Sequence, residues 1–148
     1  MHTHTAPLTS RDGVTLVELC LVLALVGILA AIATRQITRY LDRAAVRAAV
    51  AEAATVVLRA RDDAMAQRTP VSVRIDTTTA ALELSARGVV LSRAALGHAH
   101  GVALSATRDS LTYDVRGLGY GAANLTMVAR RGAAAESLVV SRLGRVRW

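Results

Sequence analysis

The longest apolar segment of the chain lies near its N-terminus. Residues 14–33 are 20 residues with one charged side chain, Glu18. At about 1.5 Å per residue, a helix of this length covers about 30 Å, the thickness of the hydrocarbon core of a membrane. A carboxylate inside such a segment costs about 3 kcal/mol unless a cation pairs with it. The pattern therefore predicts a membrane-spanning helix in which Glu18 needs a partner.

The helical pattern continues beyond the apolar segment. Residues 34–67 contain no glycine or proline and are rich in alanine, leucine and arginine, which favour helix, so one continuous helix through Gln67 is predicted. Seven residues at steps of three and four mark one apolar face, whose small alanines would let another helix or a sheet approach closely: Ile37, Leu41, Ala44, Ala48, Ala51, Thr55 and Leu58. Four arginines spaced four apart form a stripe that suits lipid headgroups, acidic neighbours or a solvated surface: Arg35, Arg39, Arg43 and Arg47.

From Pro70 onward the apolar positions alternate with polar ones. Short strands are predicted over residues 71–75, 81–85, 89–92, 102–105, 111–115, 125–128 and 137–140. Turn residues separate them at 76–79, 87–88 and 117–121. One long helix followed only by strands predicts an α+β fold, in which the N-terminal helix packs on a C-terminal antiparallel β-sheet.

The residues around Glu18 resemble a known processing motif. Gly13, then Thr15-Leu16, then Glu18 as the fifth residue after the glycine is similar to the motif of type IV pilins and type II secretion pseudopilins. Val14 stands where that family usually has phenylalanine. The resemblance implies that a prepilin peptidase cuts between Gly13 and Val14 and methylates the new amino group of Val14. In a low-dielectric setting that ammonium would attract Glu18 of a neighbouring subunit, so assembly through Glu18 is expected.

Other interpretations of the apolar segment stay open. Ala31-Ile32-Ala33 fits the small-residue cleavage pattern of a secretory signal peptide, although Glu18 is unusual inside such a segment. A plain single-pass anchor is also compatible but gives Glu18 no role. A lipoprotein anchor at Cys20 is disfavoured, because Glu18-Leu19 precede the cysteine where small residues are needed.

The C-terminal end carries a second candidate site. If residues 144–148 are extended, Arg145 and Arg147 point to one face while Val146 and Trp148 anchor the other. Residues 139–147 resemble the pseudopilin H and fimbrial T branch of the family, some members of which bind DNA through a Gly-Arg-x-Arg tail. The residues that match or extend this pattern are Gly144, Arg145 and Arg147, with Arg142 and Arg130-Arg131 as further candidates. A basic final strand of the sheet is the alternative interpretation.

The resemblance also implies an organisation and a function. It divides the chain into a leader (1–13), a transmembrane and assembly helix (14–33), a periplasmic continuation of that helix (34–68) and a β-rich domain (69–148). It implies a minor pseudopilin of a type II secretion pseudopilus in the bacterial inner membrane. The expected partners are other pilin or pseudopilin subunits, the prepilin peptidase and inner-membrane lipid, and the alternative is a minor pilin that binds DNA during uptake.

Composition argues against catalysis. The net charge is +7 and all 18 basic residues are arginine, which attracts phosphates and acidic partners. No nucleophile, carboxylate pair or phosphate-binding loop is present in a recognisable arrangement. His98 and His100 lack the further ligands of a metal site, so a surface loop is predicted for them. We therefore predict no enzyme activity and no cofactor.

Overall fold

The computed structural model of the chain describes residues 13–120 and 124–148. It begins with the helix α1, Leu16–Ala66, as the absence of glycine and proline from residues 34–67 predicted. The chain divides into two compact units, Met1–Ile37 and Thr38–Trp148. The helix thus contributes residues to both units, and each unit is described by itself.

The first unit consists, in its described part, of Gly13 to Thr15 and the first turns of α1. All of its described residues are exposed. An 18-residue window of the helix has a mean hydropathy of 2.8, and none of that window is buried. Length and composition therefore suit a helix that crosses a membrane.

The second unit holds nine strands among its described residues. They are β1 Val71–Asp76, β2 Ala81–Ala86, β3 Val89–Ala94, β4 Ala103–Ala106, β5 Ser110–Tyr113, β6 Gly119–Tyr120, β7 Leu125–Arg131, β8 Ala134–Val140 and β9 Val146–Arg147. They form two antiparallel sheets, one in the order β3-β2-β1-β5-β6 and the other in the order β4-β7-β8-β9. The seven predicted strands are all present. The prediction was one antiparallel sheet, whereas the strands form two.

The core of the second unit lies between α1 and these sheets. The helix contributes mainly alanine and valine to it: Val46, Ala49, Val50, Ala53, Ala54, Val57, Ala60 and Ala64. The strands contribute larger side chains, among them Val73, Leu82, Leu84, Met127 and Leu138. Small side chains on the helix let the sheets approach its backbone closely, which is how a short domain buries a continuous core.

The apolar face predicted for α1 is not the face that packs on the sheets. All seven residues proposed for it are exposed, with Leu41 at 54% and Leu58 at 39%. The buried face is another set of positions along the same helix. Alanine and valine occur on every side of this helix, so the periodicity could not identify which face meets the sheets.

The short helix α2, Leu96–His100, was also not predicted, since a surface loop was expected at His98 and His100. Leu96 is fully buried in the core and Gly101 ends the helix with φ +64°. Gly97 lies against the turn between β1 and β2. A β-carbon added to Gly97 would be 2.8 Å from the carbonyl oxygen of Thr79 in that turn. The backbone amide of Gly97 donates to the carbonyl of Ala80, which fixes the helix on that turn.

The predicted turn between β1 and β2 is confirmed. The carboxylate of Asp76 accepts hydrogen bonds from the amides of Thr78 and Thr79 and from the hydroxyl of Thr79. The hydrogen bonds from Thr79 lower the pKa of Asp76, because they favour its charged form. Aspartate at the start of a tight turn commonly bonds the backbone in this way.

Tyr113 provides a first test of the core. Its side chain is completely buried, its Oη has no hydrogen-bond partner among the described residues, and burial raises its pKa to about 12. Tyr113→Phe keeps the ring and removes the unpaired hydroxyl, so we expect it to raise the free energy of unfolding by about 1 kcal/mol. The urea midpoint of the detergent-solubilised chain, measured by pulse proteolysis, checks this. Tyr120→Phe, at an exposed position, is the control without an expected effect, and a lower midpoint for Tyr113→Phe would contradict the account.

Candidate functional site

The N-terminal site begins with an accessible peptide bond. Gly13 and Val14 precede the helix in non-helical backbone, and Val14 is 72% exposed. Both residues are exposed, so the described part of the chain does not cover the peptide bond between them. The structure places the predicted cleavage position two residues before α1 begins at Leu16.

Thr15 and Glu18 together form the start of α1. The hydroxyl of Thr15 accepts a hydrogen bond from the backbone amide of Glu18 at 3.2 Å, which satisfies one of the unpaired amides of the first turn. A threonine followed three residues later by glutamate is the sequence pattern of a capping box. Glu18 is exposed in this first turn, where the positive end of the helix dipole favours a carboxylate. Sequence reasoning missed this local role, although the Thr-x-x-Glu pattern could have indicated it.

The exposed face of α1 is a second feature of the N-terminal half. The residues that the periodicity marks as one apolar face are exposed, Ile37 in the first unit and the other six in the second: Leu41, Ala44, Ala48, Ala51, Thr55 and Leu58. An exposed apolar stripe on a helix is a surface for contact with another apolar surface. The predicted arginine stripe is exposed too, at Arg35, Arg39, Arg43 and Arg47.

The C-terminal site is a tight turn followed by a short strand. The amide of Ser141 donates to the carbonyl of Arg145 at 2.8 Å, and the amide of Gly144 donates to the carbonyl of Ser141 at 2.9 Å. Gly144 is buried and has φ +73°, a conformation that glycine adopts without strain. It follows that Gly144 is a structural residue of the turn and is not available as a surface contact.

Arg61 of α1 lies between this turn and the turn at Gly117. Its Nε donates to the carbonyl of Gly117 at 3.0 Å. A β-carbon at Gly144 would lie 3.0 Å from that Nε, and one at Gly117 would lie 3.1 Å from it. The guanidinium therefore fits between two glycine turns, and neither turn has space for a side chain.

Three arginines project from the turn and the strand. Arg142, Arg145 and Arg147 are exposed, and none of them has an ion pair among the described residues. Val146 is half-buried and packs on the core, as predicted for one anchor of the tail. Trp148 is 61% exposed, so the prediction that it anchors the tail is wrong. The strand β9 ends at Arg147, so Trp148 has no partner in the sheet among the described residues.

Solved structures of a minor pilin and of a minor pseudopilin resemble the chain over about two thirds of its length. The type IV minor pilin FimU of Pseudomonas aeruginosa (strain PAO1), in its P21 crystal form, aligns with a TM-score of 0.60 and 17% identity, covering 69% of this chain and 86% of that one. The minor pseudopilin EpsH from the Type 2 Secretion System of Vibrio cholerae aligns with a TM-score of 0.55 and 15% identity, covering 69% and 94%. No protein-family model matches the chain, and no curated protein matches its sequence. The chain has a type IV pilin-like fold.

The pilin-like fold confirms the fold class that the sequence predicted, a long N-terminal helix packed on an antiparallel β domain. A minor pilin and a minor pseudopilin resemble the chain to similar degrees, so the fold does not distinguish between these two classes. The start of α1 is long and apolar enough to cross a membrane.

Arg131, a further candidate for DNA binding, has a structural role in this pilin-like domain. Its Nε lies 3.1 Å from Oδ1 of Asp42, and its Nη1 donates to the carbonyl of His100 at 2.6 Å. Both side chains of the ion pair are partly buried, so this guanidinium is not free to bind a phosphate. Arg130, the neighbouring candidate, is exposed.

The histidines of α2 differ from each other. His98 is exposed, whereas His100 Nε2 lies 2.7 Å from Oε2 of Glu52 on α1. This contact, together with the bond from Arg131, ties α2 to the long helix. Among residues 13–120 and 124–148 no cluster of three or more histidine, cysteine, aspartate or glutamate side chains is placed to hold a metal ion.

Proposed function

We propose that the chain is a minor pseudopilin subunit of a type II secretion pseudopilus. The observation that carries the proposal is the pilin-like fold whose α1 begins with an unburied apolar segment, directly after the accessible bond between Gly13 and Val14. In this proposal a prepilin peptidase removes residues 1–13 and methylates Val14. The subunit is then held in the bacterial inner membrane by residues 14–33, with its β domain in the periplasm, and its role is structural and not enzymatic.

Assembly in this proposal uses two features of α1. The ammonium of Val14 pairs with the carboxylate of Glu18 on a neighbouring subunit, which offsets the cost of each charge in an apolar setting. The exposed stripe from Ile37 to Leu58 then gives an apolar surface for the helices of other subunits. Alanines along this stripe would permit close helix–helix contact.

Deleting the chain's gene in its own host tests whether the subunit belongs to a secretion system or to a DNA-uptake pilus. The proposal expects loss of protein export through the outer membrane, with DNA uptake unchanged, and restoration of export by the full-length chain. Loss of DNA uptake with normal export would contradict the secretion assignment and favour the second candidate function.

The second candidate is a minor pilin that binds DNA during uptake. The observation that favours it is the set of three exposed arginines at the C-terminal end that form no ion pair with any residue of 13–120 or 124–148: Arg142, Arg145 and Arg147. Guanidinium groups that contact phosphates release counterions, so binding would be independent of sequence and would weaken steeply with salt. Gly144 would contribute by shaping the turn that presents them.

Removing two of these arginines tests the second candidate. For Arg145→Ala combined with Arg147→Ala we expect the affinity of the detergent-solubilised chain for duplex DNA to fall by about tenfold. We also expect the slope of log affinity against log salt concentration to become shallower by about two, because two phosphate contacts are lost. Fluorescence anisotropy over a salt series measures both quantities. Arg74→Ala combined with Arg93→Ala has the same net charge and alters exposed arginines of the other sheet. If both double variants lose the same affinity for DNA, the tail has no specific role in DNA binding.

A further inference from the structure

The strand β8 has an open edge. It spans Ala134–Val140, but β9 pairs only with Val139 and Val140. Residues 134–138 pair with β7 on one side. On their other side the described part of the chain provides no strand, so five residues of this edge are free to accept another one.

The backbone groups available at this edge follow from the hydrogen bonds beside it. Ser141 donates its amide to the carbonyl of Arg145, so Ser141 directs its backbone groups toward the β9 side. In an antiparallel ladder the direction alternates from residue to residue. Ser137 and Ala135 therefore direct their amides and carbonyls to the open side, and both residues are exposed.

A basic groove runs next to this edge. It has a volume of about 340 Å³ and lies between α1 and the start of β8, with Arg43, Val46 and Arg47 on the helix and residues 133–136 on the strand. Arg43 and Arg47 are exposed and have no ion pair among the described residues. Glu136 is the one acidic residue that the described part of the chain contributes to the lining, against two arginines, so these residues give the groove a net positive charge.

The wall of the groove is fixed in position by the turn between β7 and β8. Arg131 pairs with Asp42 of α1, the residue before Arg43. Gly132 follows with φ +53°, and a β-carbon there would run into the carboxylate of Asp42. This contact holds the beginning of β8 beside the two arginines, so the edge and the charges form one preorganised surface.

We propose that this surface binds an extended acidic segment of a partner protein, which adds to the sheet beside β8 in line with β9. Its backbone would bond to Ala135 and Ser137, and the carboxylates on its helix-facing side would reach Arg43 and Arg47. Another copy of this chain suits the surface poorly. Of its four edge strands, β3 and β9 carry Arg93 and Arg147, which the groove would repel. The other two, β4 and β6, carry no acidic residue that could pair with the arginines of the groove.

A designed peptide tests the proposal on the full-length chain in detergent. The probe is a short fluorescein-labelled peptide that alternates valine and glutamate, and its binding is followed by anisotropy. We expect about tenfold weaker binding after Arg43→Ala combined with Arg47→Ala. We expect a similar loss after Ala135→Pro, because proline has no backbone amide to donate at the open edge. Proline is tolerated on edge strands, so the variant is expected to fold. Arg35→Ala combined with Arg39→Ala, in the same stripe but outside the groove, should bind as the unaltered chain does.

Two further peptides separate strand addition from simple charge attraction. A peptide with lysine in place of glutamate should not bind, and one with proline at alternate positions should lose its affinity although its charge is unchanged. Equal binding of the proline peptide would overturn the proposal, and so would self-association of the chain that Ala135→Pro abolishes. The surface uses none of Gly13, Val14 and Glu18, so this outcome and the outcome for filament assembly are independent.

Discussion

Glu18→Gln is expected to exclude the chain from assembled filaments while its amount in the membrane stays unchanged. The substitution removes the carboxylate charge, so the ammonium of a neighbour's Val14 would enter an apolar environment without a partner. Breaking such a buried pair costs about 3–5 kcal/mol, which corresponds to a loss of incorporation of at least about a hundredfold. Affinity capture of the filament from the chain's own host, followed by quantification of the tagged subunit, measures the effect.

Glutamine is the informative replacement because Glu18 has a second role at the start of α1. Thr15 caps the helix at the amide of residue 18, and glutamine serves as well as glutamate in the third position of a capping box. Glu18→Gln therefore leaves the helix start intact and removes only the charge. If Glu18→Gln assembles normally while Glu18→Ala does not, the residue acts through helix capping, and the charge-pair account is wrong.

Gly144→Ala is expected to destabilise the second unit by about 2 kcal/mol. The backbone at Gly144 has φ +73°, which costs a residue with a β-carbon about 1 kcal/mol. The added carbon would also lie 3.0 Å from Nε of Arg61 and 3.2 Å from the carbonyl oxygen of Gly117, so the guanidinium has to move from its hydrogen bond. The urea midpoint, measured by pulse proteolysis, reports the change.

Gly88→Ala separates the two causes. Gly88 has φ +79°, and an added β-carbon there would meet nothing within 4 Å. It should therefore show the conformational cost alone, about 1 kcal/mol. A destabilisation by Gly144→Ala no greater than that of Gly88→Ala would show that the contact with Arg61 carries no energy. Gly144→Ala also tests whether Gly144 acts by shaping the turn that positions the arginines of the tail, because alanine distorts the turn and adds no charge.

The sequence predicted the elements of the fold better than their arrangement. α1 was predictable because residues 34–67 hold no helix breaker, and the strands because their apolar positions alternate. The division into two sheets was not predictable, since it depends on pairings such as β1 with β5 and β4 with β7, which join residues far apart in the chain. The packing face of α1 was missed because alanine and valine surround the helix on all sides.

The candidate sites show a similar division between pattern and packing. The processing motif at Gly13, Val14 and Glu18 could be found as a local pattern, and the structure adds the accessible peptide bond and the Thr15 cap. The tail was only partly predictable. The ion pair between Arg131 and Asp42 was not predictable from local sequence, because Asp42 lies 89 positions earlier, on α1. Arg61, which shapes the tail through Gly117, was missed for the same reason.

We propose that the chain enters a filament as a processed subunit that begins at Val14. The intact mass of the protein purified from the membranes of its own host tests this processing. We expect the mass of residues 14–148 plus one methyl group on the amino terminus of Val14. The mass of the uncut chain, or that of a chain cut after Ala33 as a signal peptide would be, would contradict it.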